Sequence, residues 1–552
     1  MHPRTAIMGS HVESWRERAA EAVARRDAGL AKVEPKLEGV PKELPRSSIG
    51  LPKLVLTARE LEITEGFTVT QLLAALRARE VSAEEVTRAF LRRAALAQAA
   101  VRPDQLPTEL LWDEAIERAR YLDSLPEPKG QLFGLPISTK EHHGMVGSNV
   151  VTTASYAAWV GKQHGSNVLY DILWDEGCVF YARSTQPQTI MHLETDNNLY
   201  GRTVNPYNRD LTPGGSTGGE AALLGMRASI LGVGGDIGGS IRCPAAHVGI
   251  YGFKPTNKRI SVLGQRNHMA GKEAITSTPG PMTVEREAME LFMKVALSAK
   301  PWRIDPALTV KEWTPYRFDR PLKIAVQWWD GVVRPHPPMI RALKEVSDAC
   351  RQAGMQVVDW DCEPLDHQKG WEILSSLYWP DGGEHVMKIL EETGEPILPL
   401  TKFIIQEQPS VKYLSQQELW DRCAERDEYR NAYARAWTKT GEHDGQEVDV
   451  ILCPPSFGAA APHGQSRYWG YTANWNLLDY PGAVFPVTVV DPVKDPKDTA
   501  YVPKNEQDRF IHEMYSPEKY VGAPVSLQLV GRRQYDEKVL AALAEVEKAM
   551  GR

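Results

Sequence analysis

Two glycine-dense turns constrain this chain more than any other feature. The first reads Gly214-Gly215-Ser216-Thr217-Gly218-Gly219-Glu220, and the second reads Gly235-Asp236-Ile237-Gly238-Gly239-Ser240-Ile241-Arg242. The second follows an apolar run, Ser229-Ile230-Leu231-Gly232-Val233, which reads as a buried strand. Glycine lets the backbone turn sharply and approach another group closely. Successive N–H groups in such a turn can point into one concavity and hold an anion. Upstream, Gly134-Leu135-Pro136-Ile137-Ser138-Thr139-Lys140-Glu141 places a lysine after a short apolar run.

Around these turns the hydrophobic period alternates. Residues 131–140 read as a strand, 166–176 as a helix, 179–182 as a strand, 218–227 as a helix and 229–233 as a strand. Such alternation implies a sheet with helices on its faces. Before it, Thr68 and Ser82 are positioned as helix caps, and 112–125 is amphipathic. Residues 260–320 read as loops with a helix at 283–298. The sheet pattern restarts at 322–326 and returns at 355–360, 449–453, 482–490 and 525–530. Helices are expected over 338–353 and 535–550. Residues 363–440 read as a helical insertion packed on the sheet, over the active site. The expected fold is therefore α/β. An arm spans 1–60 and one domain spans 61–552, built on a central mixed, twisted sheet covered by helices on both faces, with its core motif block at 134–256. The arm reads as a surface-wrapping extension. A dimer contact is the alternative, so a homodimer is allowed.

Composition removes several function classes. Net charge is −7 with no long basic run, which argues against nucleic acid as a partner. The chain has 6 cysteines, with no Cys-x-x-Cys pair, so it carries no disulfide framework and fits a reducing compartment. The first thirty residues lack the apolar stretch of a secretory signal, and no run is long enough to span a bilayer. A cytoplasmic protein without a membrane partner is expected. His142 and His143 are adjacent, and no His-Glu-x-x-His or Cys/His cluster occurs, so no metal is expected. Satisfied or surface histidines are the better reading.

The two serines and the lysine carry the chemistry. Ser240 ends a glycine run whose N–H groups can hold the oxyanion of acyl transfer. A dinucleotide loop is the wrong reading, because Gly232, Gly234 and Gly238 miss the Gly-x-Gly-x-x-Gly spacing. Ser216 lies in Gly-x-Ser-x-Gly, the nucleophile elbow of α/β-hydrolases, which would make the protein an esterase with Ser216 as nucleophile and a histidine dependence. An elbow follows a buried strand, however, and residues 205–213 are polar and Pro-flanked. Lys140 acts as a base only when neutral, and burial beside Leu135, Pro136 and Ile137 favours that form. Ser516-Pro517-Glu518-Lys519 also spells Ser-x-x-Lys, but in a charged segment, and reads as chance. A non-catalytic amide-binding scaffold is a further alternative, opposed by the intact set of Lys140, Ser216 and Ser240.

The block 134–256 resembles the amidase signature family. It includes Ser240-Ile241-Arg242-Cys243-Pro244-Ala245-Ala246 and Gly249-Ile250-Tyr251-Gly252-Phe253-Lys254-Pro255-Thr256. Outside it, Gln186-Pro187-Gln188-Thr189, Trp469-Gly470-Tyr471-Thr472 and Val525-Ser526-Leu527-Gln528-Leu529-Val530-Gly531 are similar to the fungal acetamidase-type branch. The resemblance implies an amide hydrolase with no cofactor. It makes Ser240 the nucleophile, Ser216 a proton relay on a cis peptide bond, and Lys140 the base. Backbone N–H groups of Ile237, Gly238, Gly239 and Ser240 would form the oxyanion hole, supported by Asp236, Arg242 and Thr217. Ile190, Gly214, Gly215, Trp469 and Tyr471 are expected at the substrate. Small aliphatic or aryl amides are the expected substrates, with esters and carbamates open to the same chemistry. The chain departs from the common family pattern at Thr217, Gly235 and His142-His143, and is atypical at 97–108.

Overall fold

Eleven strands join one mixed sheet in a computed structural model that describes residues 13–100, 107–146 and 150–552. In chain order they are β1 (Pro107–Leu110), β2 (Pro136–Lys140), β3 (Val179–Ser184), β4 (Leu231–Asp236), β5 (Tyr251–Lys254), β6 (Thr278–Thr283), β7 (Lys323–Val326), β8 (Gln356–Asp359), β9 (Val450–Cys453), β10 (Gly482–Val489) and β11 (Pro524–Val530). Across the sheet the order is β1-β3-β2-β4-β6-β5-β10-β11-β9-β7-β8. β2 runs parallel to both β3 and β4, β7 runs parallel to β8 and β9, and antiparallel strands fill the middle.

Both faces of this sheet are covered, and the period of two shows it. On β7, Ile324 and Val326 join one apolar core while Ala325 joins another on the opposite face. On β9, Val450 and Leu452 face the first core, and Ile451 and Cys453 face the second. The second core is closed by the helices His367–Tyr378, Glu384–Glu391, Pro399–Gln406 and Gln416–Lys439. These helices fill the stretch expected to be helical. β2 is buried at every position, as a parallel strand covered on both sides must be.

Local signals set the ends of the helices. Thr68 accepts from the Gln71 N–H and starts the helix Val69–Arg77. Ser82 accepts from the Glu85 N–H at 3.0 Å ahead of Ala83–Ala100. The helix Trp15–Ala31 lies along β1, and the following arm hydrogen-bonds the body through Ser48 N–H to the Pro206 carbonyl at 2.8 Å. Of the atypical stretch 97–108, residues 101–106 lie outside the described residues.

The largest departure from the sequence reading is β6, which lies in a stretch whose sequence reads as loop. Its sequence is Thr-Pro-Gly-Pro-Met-Thr, with prolines that usually mark a strand edge. Here it lies mid-sheet between β4 and β5. A Cβ on Gly280 would stand 2.2 Å from the Phe253 carbonyl oxygen, so only glycine admits β5 at that spacing. The helices Gly470–Leu477 and Glu506–Met514 were also not anticipated.

This topology positions the chemistry. Because β2 and β4 are parallel neighbours, with Thr139 paired to Val233, their C-terminal ends deliver Lys140 and Asp236 to the same edge. Among the described residues no helix is long and apolar enough to cross a membrane, and no group of His, Cys, Asp and Glu is placed to hold a metal ion.

Candidate active site

Asp236 ends β4 and frames the turn that follows. Its carboxylate is fully buried and accepts from the N–H groups of Gly239 at 2.8 Å and Ile241 at 3.2 Å. Arg242 Nε donates to Oδ2 at 3.0 Å, and Asn476 Nδ2 donates to Oδ1 at 2.9 Å. Burial by itself would raise the Asp236 pKa. The charge and hydrogen bond of Arg242, helped by Lys254 and Asn476, outweigh it and hold the carboxyl well below its ordinary range.

The outer side of the turn is tied down by the helical layer. Tyr378 Oη donates to the Ile237 carbonyl at 2.5 Å, and Thr472 Oγ1 donates to the Gly238 carbonyl at 2.7 Å. In a planar trans peptide the next N–H points away from the carbonyl. These ties therefore aim the Gly238 N–H away from Tyr378, and aim the Gly239 N–H at Asp236. The Gly239 N–H, expected to face an oxyanion, is thus engaged by the Asp236 carboxylate. Ile237, Gly238 and Ser240 carry the N–H groups that have no acceptor among the described residues.

Lys140 emerges from β2 into this turn. It is 1% exposed, and its Nζ donates to Ser216 Oγ at 2.6 Å. Burial pushes its pKa down to about 7, against a smaller opposing pull from Asp236. Ser216 follows a cis peptide bond from Gly215. No strand leads into it, so the context of a nucleophile elbow is missing. Its glycines are packing requirements. A Cβ on Gly214 would stand 2.6 Å from Pro244 Cα, and one on Gly215 would stand 2.4 Å from the His192 carbonyl oxygen. The two turns are joined where the Thr217 N–H donates to the Ser240 carbonyl at 3.2 Å.

Lys140, Ser216 and Ser240 line one small cavity of about 40 Å³. Ile190 and Ile237 add apolar wall, and Gln265, His268 and Ser277 add polar wall. Of the residues expected at the substrate, only Ile190 lines it. Gly214 and Gly215 shape the turn. Trp469 packs behind Gly238, and Tyr471 Oη donates to the Val333 carbonyl within a separate apolar cluster.

The paired histidines are buried, not at the surface. Gln186 Nε2 donates to Glu141 Oε2 at 2.7 Å, which fixes the amide. Its Oε1 then accepts from the His142 N–H at 3.2 Å and from His142 Nδ1 at 3.0 Å. Nδ1 therefore carries the proton. Burial, with His143 and Lys140 nearby, keeps the ring neutral, so Nε2 is a lone-pair acceptor on a residue of the cavity wall. A Cβ at Gly235 would meet His143 Nε2 at 2.9 Å. The glycine at 235 thus makes room for the His143 ring. Residues 265–277 of the wall were missed in the sequence, because they sit in a loop with no period or motif.

A fold of this kind, with a buried strand-end lysine bonded to the serine of the first glycine turn and a framed second turn, defines a class of amide hydrolases. The chain belongs to the amidase family, whose family model matches residues 85–540, and it is an amide-hydrolysing enzyme of the amidase-signature type. It is 38% identical to the acetamidase of Emericella nidulans, covering 98% of this chain and 99% of that one. With the acetamidase of Aspergillus oryzae the identity is 36%, over 98% and 99% of the two chains. A solved fatty acid amide hydrolase superposes with a TM-score of 0.89 at 32% identity, covering 99% of this chain and 98% of that one.

Proposed function

We propose that the protein hydrolyses small carboxamides through an acyl-enzyme on Ser240. The observation that carries this reading is the buried Lys140 Nζ, 2.6 Å from Ser216 Oγ, in one cavity with Ser240. Neutral Lys140 takes the proton of Ser216 as Ser216 takes that of Ser240. Ser240 Oγ then adds to the amide carbonyl. The N–H groups of Ile237, Gly238 and Ser240 hold the tetrahedral oxyanion. Such donors are worth most in a dry, preorganised site, and removing one typically costs ~3 kcal/mol of barrier. Collapse breaks the C–N bond, and the proton returns from Lys140 through Ser216 to the departing amine. Water repeats the sequence on the ester and regenerates Ser240.

A cavity of about 40 Å³ suits a short acyl group, and the acetamidase relatives support the same size class. The test is a serine-reactive fluorophosphonate followed by peptide mass spectrometry. The expected adduct is on Ser240 and is lost in Lys140→Ala. An adduct on Ser216 would overturn the assignment. The same protein should release ammonia from acetamide, and kcat/KM should rise with pH through about 7, because only neutral Lys140 accepts the proton.

A further inference from the structure

The catalytic cavity opens beside a much larger cleft. The two share Asn267, His268 and Met269 as a common wall, and the outer cleft encloses about 780 Å³ between that wall and Tyr378, Trp379 and Trp420. Tyr378 also holds the Ile237 carbonyl, so the cleft and the catalytic turn share a side chain.

Among the described residues, His268 in this cleft has no hydrogen-bond partner and Lys272 has no carboxylate counter-ion, although its Nζ lies 5.3 Å from the Tyr378 ring centroid. His268 is 8% exposed, packs edge-on against Tyr156, and has no hydrogen bond at Nδ1 or Nε2 among the described residues. Burial keeps its ring neutral, so it offers one N–H donor and one lone pair, both unfilled. Buried polar atoms are normally paired, and each exception calls for an explanation. Lys272 lines the same cleft. Its Nζ donates to Met269 Sδ at 2.8 Å and to the Tyr378 carbonyl at 3.3 Å. Among the described residues no carboxylate reaches it at ion-pair distance. The acidic neighbours are already occupied: Asp381 accepts from the N–H groups of Gly383 and His385, each at 2.9 Å, and Glu273 pairs with Lys258 at 2.9 Å. Burial pushes the Lys272 pKa down to about 7, and a bound anion would reverse that shift.

We propose that the outer cleft is a subsite for amides that also carry a carboxylate, with Lys272 as its counter-ion and His268 as the hydrogen-bonding group at the throat. The aromatic walls would hold the spacer between carboxylate and scissile bond. This inference rests on the amidase reading of the Ser240 cavity and adds a substrate class to it.

The test compares matched substrates on the full-length enzyme. Succinamate is set against butyramide, which places the carboxylate on the acyl side, and 4-acetamidobenzoate is set against 4-acetamidotoluene, which places it on the amine side. In at least one pair the carboxylate should raise kcat/KM at least ~10-fold, the range of a charge-assisted contact. Lys272→Gln should bring that ratio to within about twofold of one, and Lys272→Arg should keep it. His268→Leu should lower the same ratio by a smaller factor. Equal ratios in the native enzyme and Lys272→Gln overturn the proposal. If no member of either pair is cleaved, tryptophan fluorescence of Ser240→Ala reads binding of the same compounds. A Kd favouring the carboxylates, lost on adding Lys272→Gln, supports the subsite, and equal Kd values overturn it. The amidase reading fails separately, by absence of a Ser240 adduct.

Discussion

The stretch 134–256 and the stretch 367–480 meet at one turn and contribute to it in different ways. The first supplies the groups proposed to react: Lys140, Ser216, Ser240 and the N–H groups of Ile237, Gly238 and Ser240. The second supplies none of them. It supplies Tyr378, Thr472 and Asn476, which hold the Ile237 carbonyl, the Gly238 carbonyl and the Asp236 carboxylate. Reactivity here is local in sequence, and orientation is not. A glycine run has many backbone states, and its own sequence cannot choose among them. The choice is made by side chains from more than 140 positions away.

The largest effect should come from breaking the element on which the two stretches converge. Asp236→Ala leaves the Arg242 guanidinium buried without its partner, both side chains being 0% exposed in the native fold. Losing one member of a buried pair costs ~3–5 kcal/mol, and urea unfolding should show it. The turn also loses its frame, so kcat should fall ~100-fold or more, as when an oxyanion donor is lost. Retention of activity in Asp236→Ala would show that the glycines hold the turn unaided.

Next come the ties from the helical layer. Tyr378→Phe and Thr472→Val each remove one donor and leave the ring or branch in place. Each should lower kcat about fivefold with little change in KM, the effect of ~1 kcal/mol of lost orientation. Tyr471→Phe is the comparison. Its hydroxyl serves the Val333 carbonyl, away from the cavity, so stability should fall without a matching fall in kcat. Equal kcat losses in all three would erase the distinction between tie and scaffold.

His142 sharpens the comparison from the other side, because it belongs to the first stretch yet contributes through shape and tautomer. Its Nε2 lone pair can accept an amide N–H and has nothing to accept from an ester oxygen. His142→Phe should lower kcat/KM for acetamide about tenfold and for ethyl acetate less than about threefold, within the range of one hydrogen bond. Equal losses on the two substrates would assign the ring to packing alone.

What was legible in the sequence follows the same division. The strand before Ser240, the caps at Thr68 and Ser82, and the lysine behind an apolar run are written in contiguous residues. The fit of Gly235 against the His143 ring was not legible, because the two residues lie far apart in the chain. β6 was illegible because its prolines and glycine satisfy a register that depends on β4 and β5. The wall at Gln265, His268 and Ser277 was illegible because a loop residue's neighbours are fixed by the sheet below it. Tyr471 was misassigned for the same reason: adjacency to Thr472, which does touch the turn, says nothing about which way the next ring points.

The smallest effect tests the energetic side of the proposed base. Lys140 is charged in the unfolded chain up to about 10.5, and burial lowers its pKa to about 7 in the folded protein. Between those values the unfolded state binds more protons, so this residue makes stability rise with pH across that window. At neutral pH its burial costs on the order of 4 kcal/mol relative to an apolar side chain of the same length. Lys140→Met should therefore abolish amide hydrolysis and yet raise the melting temperature by about 3 °C, a small shift because a chain this size has a large unfolding entropy. The gain should shrink toward zero as pH approaches 10.5. A variant less stable than the native protein at every pH would mean that the Ser216 hydrogen bond outweighs the desolvation of Lys140, and that the lysine is held in the site by structure as much as by chemistry.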